Sequence, residues 1–209
     1  MIKRILFATD FSRWARRAED YACTLACSWR ASLTVLSVAE FMPGLNPDYP
    51  VNQQYLADLL KQASSQLVDL KGRAERRGIA VTTRVATGIP SEEVITAARA
   101  EDSDLIVVGT RGKTGLAHVL LGSTAERVIR GAPCPVLTVR TEPADTEQEE
   151  GVLSRPVTLE RILVPVDFSD CSFDALEYAV VVAQQAEASL MLLHVLEPVS
   201  YGLDFTLGH

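Results

Sequence analysis

Short apolar runs alternate along this chain with longer stretches in which apolar residues recur every three or four positions. Lys3–Ala8 is a β-rich run, and from Ser12 to Ser28 the residues Ala15, Ala18, Ala22, Leu25 and Ala26 keep helical spacing. Ser32–Val38 reads as a second strand. Phe41–Pro50, with three prolines and a glycine, reads as a loop. An amphipathic helix follows, with Leu56, Leu59, Leu60, Ala63, Leu67 and Leu70 on one face and Gly78 at its end. Val81–Ala86 predicts strand three. Pro90-Ser91-Glu92-Glu93 opens a helix that ends near Glu101, with proline and acids where a helix start favours them. Leu105–Val108 is apolar throughout, as a strand buried on both faces should be. Ser123–Arg130 predicts a further helix, and Pro135–Arg140 a fifth strand. Strands alternating with helices imply an α/β fold with a mostly parallel, doubly wound sheet and helices on both faces.

The pattern then returns. Arg4-Ile5-Leu6-Phe7-Ala8-Thr9-Asp10-Phe11-Ser12 matches Arg161-Ile162-Leu163-Val164-Pro165-Val166-Asp167-Phe168-Ser169 at an offset of 157, and the register holds through Tyr21 and Tyr178, Leu33 and Leu190, and Glu40 and Glu197. The returning part predicts a strand (Arg161–Val166), a helix (about Ser172–Ala186) and a strand (Ser189–Val195). It has no counterpart of the glycine-rich segment described below. The expected organisation is a complete domain over 1–140, an acidic linker over 141–158, and roughly the first third of a second unit over 159–209. Such a β-α-β piece leaves an apolar sheet face to cover. It is expected to pack against the complete domain or against the same piece of another chain, which would make the protein a homo-oligomer, unless the chain is part of a longer two-unit protein.

Charge sharpens this division. Up to Arg140 there are 18 Lys and Arg against 14 Asp and Glu, whereas from Thr141 onward there are 2 against 13, within a net charge of −7. The excess acid argues against nucleic acid as a partner. No apolar run reaches the roughly 18 residues of a membrane span. The N-terminus enters a strand at once, leaving no room for a signal peptide. Four cysteines without CxxC spacing then suit a reduced, cytoplasmic setting.

The chemistry concentrates between Asp104 and Thr124. An apolar strand runs into a loop with glycines at Gly109, Gly112, Gly115 and Gly122, and Ser123-Thr124 follows where a helix should begin; the spacing is G-x2-G-x9-G-S. Between a strand and a helix, such a loop offers backbone N–H groups and a helix N-terminus to an anion, with a nucleotide phosphate the obvious candidate. Gly109, Gly112 and Gly122 would allow close approach and positive φ, and Arg111 and Lys113 add positive charge. Ser123-x-x-Glu126 also fits a capping box, which would explain Ser123 without a ligand. Asp10 ends strand one as Gly109 ends strand four, so a doubly wound order brings both to one crevice. There Asp10 could meet a ribose, a base or a metal ion, or could only cap the next helix or order a turn. Cys23 and Cys27, four apart, suggest burial on a helix face; His118 sits in the glycine loop; His194 reads as a packed residue. No triad or metal cluster appears, and the Lys of a Walker loop is absent after Gly122.

VVGTRGKTGLAHVLLGSTAERVIRGAPCPVLTVR, with the opening ILFATDFS and the later ILVPVDFSDCSFDALEYA, resembles the universal stress protein family in its nucleotide-binding branch. The resemblance implies a five-stranded sheet in the order 3-2-1-4-5, commonly with dimers formed through strand five. It also implies ATP, ADP or AMP, with Mg, contacted by the residues matching Ala8, Asp10, Val38, Gly109, Arg111, Gly112, Gly122, Ser123 and Thr124. Ala8 departs from the proline common in the family, which Pro165 carries. On this reading the chain is an ATP-binding stress-response sensor or regulator without an assigned catalytic residue. The rivals are a slow ATPase or nucleotidyl-transfer enzyme, and an interaction module whose loop holds no nucleotide.

Overall fold

The structure, a computed structural model, describes residues 1–40, 49–110, 121–141 and 157–196. It divides into two compact units, Ile2–Thr158 and Leu159–His209. In the first, β1 (Arg4–Ala8), α1 (Arg16–Trp29), β2 (Ser32–Ala39), α2 (Pro50–Glu75), β3 (Val81–Thr87), α3 (Pro90–Ala100), β4 (Leu105–Gly109), α4 (Ser123–Gly131) and β5 (Val136–Val139) alternate along the chain. All neighbouring strands are parallel, in the order β3-β2-β1-β4-β5. This is the doubly wound α/β sheet that the pattern of apolar runs implies.

Period-two alternation divides the strands' side chains between two helical layers. Leu6, Leu36, Ile106 and Val108 pack with Val94, Ala97 and Ala98 of α3 and Ala125 and Val128 of α4. α1 and α2 contribute Ala18, Ala22, Leu25, Leu67 and Leu70 to the rest of the core, all buried. At the amino ends of the strands, the Asp104 carboxylate accepts hydrogen bonds from the backbone N–H groups of Lys3 and Arg4, both 2.9 Å, tying the start of β4 to the start of β1. Burial alone would raise the pKa of Asp104, but these bonds and the Arg4 guanidinium outweigh it and hold the carboxyl below its ordinary value.

The second unit contains β6 (Arg161–Pro165), α5 (Asp170–Ala186) and β7 (Ser189–Leu193), with β6 and β7 parallel. Its geometry repeats that of β1, α1 and β2 at the same offset of 157. Arg4 pairs with Ser32 and Arg161 with Ser189. α1 and α5 both end on a left-handed residue, Arg30 (φ 53°) and Glu187 (φ 54°). After each first strand a phenylalanine takes a positive φ, Phe11 at 56° and Phe168 at 64°. One face of β6 and β7 packs on α5 through Val164, Val166 and Ala179. Leu163 and Leu193, which correspond to Leu6 and Leu36, are exposed.

Two helix starts differ from expectation. α1 begins at Arg16 rather than near Ser12, with Arg13–Ala15 forming a turn, and its N-cap Ala15 supplies no side-chain bond. α5 begins at Asp170, two residues early, because Ser169 accepts the N–H of Ser172 and caps it.

Candidate functional site

The sheet's winding reverses between β1 and β4, since α1 carries the chain from β1 to one side while β4 lies on the other. In such sheets the carboxyl ends of the two strands bound a crevice. Ala8 ends β1 opposite Val108, so Gly109 and the residues after Ala8 emerge at the same level. β2 runs further: Ala8 pairs with Leu36 and Thr9 N–H donates to Leu36 O at 2.9 Å, placing Val38 two residues beyond that pairing. Ala8 and Val38 are both half-buried against the same apolar cluster, which Leu121 joins from the segment before α4.

Asp10 stands on a tightly folded turn. Its Oδ1 accepts the N–H of Ser12 at 2.9 Å, and Thr9 Oγ1 accepts the N–H of Phe11 at 3.0 Å. These side-chain bonds hold Phe11 in its left-handed conformation, which costs energy without a glycine. Asp10 thus orders a turn and does not cap α1.

The segment that leaves β4 comes back to it. Thr110 N–H donates to Val139 O at 3.0 Å, and Gly122 N–H donates to Thr110 O at 2.8 Å, so the N-terminus of α4 sits directly over the end of β4. Gly122 serves close approach here and not a positive φ: its φ is −70°, while a Cβ at this position would stand 3.2 Å from Thr110 O, a tight contact. The capping box is a second correction. Gly122, with extended backbone, is the N-cap of α4, so Ser123 is already the first helical residue and forms no cap. Glu126 instead pairs with Arg130 at 2.9 Å. Ser123 and Thr124 are exposed in the first turn of this nine-residue helix, where dipole and N–H groups favour an anion.

Ala8, Asp10, Val38, Gly109, Gly122, Ser123 and Thr124 are therefore all at the carboxyl end of the sheet. Arg111, Gly112, Lys113, Gly115 and His118 lie outside the described residues. Sequence reasoning passed over Thr9 and Thr110, buried residues beside Asp10 and Gly109; their only signal was their place next to those two positions. Among the described residues no group of three metal-ligating side chains occurs, and no helix is long and apolar enough to cross a membrane. All four cysteines are free thiols. Cys23 is buried and its thiol pushed up to about 12, first by burial and then by Glu19. Cys27, expected to be buried, is exposed.

Fold and crevice together define a doubly wound α/β protein with a helix start at its topological switch point. The family model for the universal stress protein family matches residues 1–140 and 158–208. The chain belongs to that family. Universal stress protein MJ0531 of Methanocaldococcus jannaschii is 36% identical over 141 residues, covering 67% of this chain and 83% of that protein. Among solved structures, a universal stress protein from Archaeoglobus fulgidus is 25% identical with a TM-score of 0.70, covering 93% of this chain and 67% of that one. Another universal stress protein, solved in complex with cAMP, is 26% identical with a TM-score of 0.53 and covers 68% of this chain and 99% of that one.

Proposed function

We propose that the first unit binds an adenine nucleotide, ATP in the first instance, and that the chain acts as a stress-response sensor or regulator rather than an enzyme of ordinary turnover. The observation that carries this reading is the Gly122–Thr110 closure, which sets the start of α4 over the end of β4, the strand paired with β1. The cAMP complex of a relative whose whole length this chain matches supports an adenine nucleotide as the ligand. Adenine would lie near Ala8 and Val38. Asp10 would meet the ribose and a Mg ion, and Gly109, Arg111, Gly112, Gly122, Ser123 and Thr124 would hold the phosphates. Slow hydrolysis follows from the groups assigned to the ligand: backbone N–H groups and hydroxyls stabilise charge, while the Asp10 carboxylate is engaged with Ser12 N–H and poorly disposed to take a proton from water. Nucleotide released from the purified protein by denaturation, followed by a turnover assay, tests this. The expected result is adenine nucleotide in the extract and turnover below about 1 per second. Faster turnover favours the ATPase or nucleotidyl-transfer reading, and a nucleotide-free protein with no affinity for ATP favours the interaction module.

For the second unit we propose assembly. Leu163 and Leu193 are 56% and 44% exposed on one face of its sheet, against 0% and 1% for Leu6 and Leu36, and exposed apolar faces of this kind mark contact surfaces. Homo-oligomers formed partly through this face are the expected state. The four free thiols suit a reduced cytoplasm.

A further inference from the structure

The tripeptide Asp-Phe-Ser occurs at the end of β1 and again at the end of β6, in the same backbone conformation. In both, the serine N–H donates to the aspartate Oδ1 at 2.9 Å across a phenylalanine of positive φ. The two hydroxyls are used differently. Ser169 Oγ donates to Asp167 Oδ1 at 2.6 Å and accepts from Ser172 N at 3.2 Å, so it serves both the turn and the start of α5. Ser12 Oγ is buried and has no hydrogen-bond partner among the described residues, and α1 starts four residues later, at Arg16, without a side-chain cap.

Elementary energetics makes this difference informative. A buried hydroxyl without a partner destabilises the fold, and native exceptions call for an explanation. The alternative use of this serine, visible at Ser169, is open to the same tripeptide and is not taken at Ser12. What distinguishes the positions is their setting: Ser12 stands at the switch point of a five-stranded sheet, whereas the described sheet beside Ser169 consists of β6 and β7.

We propose that Ser12 is a nucleotide-binding residue, its hydroxyl held beside the Asp10 turn to donate to a phosphate oxygen of the ligand. The assignment rests on the nucleotide reading above and adds to it a contact from the β1 side of the crevice, opposite α4. A phosphate is favoured over the ribose because Ser12 lies in the turn that leads into α1, three residues before the Ala15 N-cap of a 14-residue helix whose N-terminus lacks a side-chain cap and so retains its preference for negative charge.

Titration calorimetry of the full chain with ATP and with adenosine, together with thermal melts without ligand, tests it. Ser12→Ala is expected to weaken ATP binding about tenfold or more, to leave adenosine binding unchanged, and to keep or raise the ligand-free melting temperature. Ser12→Thr, which keeps the hydroxyl, is expected to restore most of the ATP affinity. A lower melting temperature with unchanged ATP affinity makes Ser12 structural and overturns the assignment. Equal losses for ATP and adenosine overturn the phosphate contact. A wild-type chain that binds no ATP overturns the nucleotide reading and this assignment together, whereas a binding wild type with an unaffected Ser12→Ala overturns the assignment alone.

Discussion

Leu6 and Leu163 hold the same position in two copies of one β-α-β arrangement, yet Leu6 is fully buried and Leu163 more than half exposed. A parallel β-α-β piece covers one face of its own sheet: Ala18 and Ala22 of α1 are buried over β1 and β2, and Ala179 of α5 lies against Val164 and Val166. The other face needs the next part of the chain. In the first unit α3 and α4 supply it, with Val94, Ala97, Ala98, Ala125 and Val128 closing over Leu6 and Leu36. The same layer borders the crevice, because Gly122, the N-cap of α4, stands at the end of β4. Core and candidate site thus arrive together, and among the described residues the second unit, with β6, α5 and β7, has no second helical layer and no counterpart of the Gly122–Thr110 closure.

The sharpest way to break this comparison is to place one charge at both positions. Leu6→Asp puts an unpaired carboxylate in a closed core and is expected to cost more than about 4 kcal/mol, unfolding the first unit. Leu163→Asp is expected to change chain stability by no more than about 0.5 kcal/mol and to shift the protein toward smaller species in sedimentation. Circular dichroism melts and sedimentation velocity on both variants decide it; a Leu163→Asp protein that unfolds, or that keeps its assembly, contradicts the reading of that face.

A smaller effect is expected at the opposite end of the sheet. Asp104→Ala leaves the N–H groups of Lys3 and Arg4 without their carboxylate and is expected to cost about 1 kcal/mol. The carboxyl's pKa is lowered in the folded chain, so its contribution is present above the unfolded value of about 4 and is lost as pH falls through the folded value. Urea unfolding from pH 7 down to pH 3 should therefore show the gap between wild type and Asp104→Ala closing at the acid end. A gap that stays constant would remove the carboxylate from the account.

Much of this was legible in the residues. Period-two and helical spacings marked every strand and helix described, and the alternation of apolar runs implied the parallel sheet. The order of its strands came from the family resemblance. What escaped the sequence has a common cause, namely backbone geometry decided by bonds between residues. Ser12 looked like a helix start, but in this turn Asp10 takes its N–H, and α1 waits until Arg16. Ser123 looked like a cap, but the bond from Gly122 N–H to Thr110 O moves the cap one residue earlier. The positive φ at Phe11 and Phe168 carries no sequence signal of its own, since glycine or asparagine is the residue such a turn usually announces.

The central claim is that one crevice, in the first unit, binds the nucleotide. Calorimetric titration of ATP into wild type, Gly122→Val and Asp167→Ala measures it directly. Valine at position 122 must crowd Thr110 O, while Asp167 lies at the matching place in the second unit. The account predicts one ATP per chain, a loss of about a hundredfold in affinity for Gly122→Val, and unchanged binding for Asp167→Ala. Two ATP per chain, or a Gly122→Val protein that binds as wild type does, would contradict it.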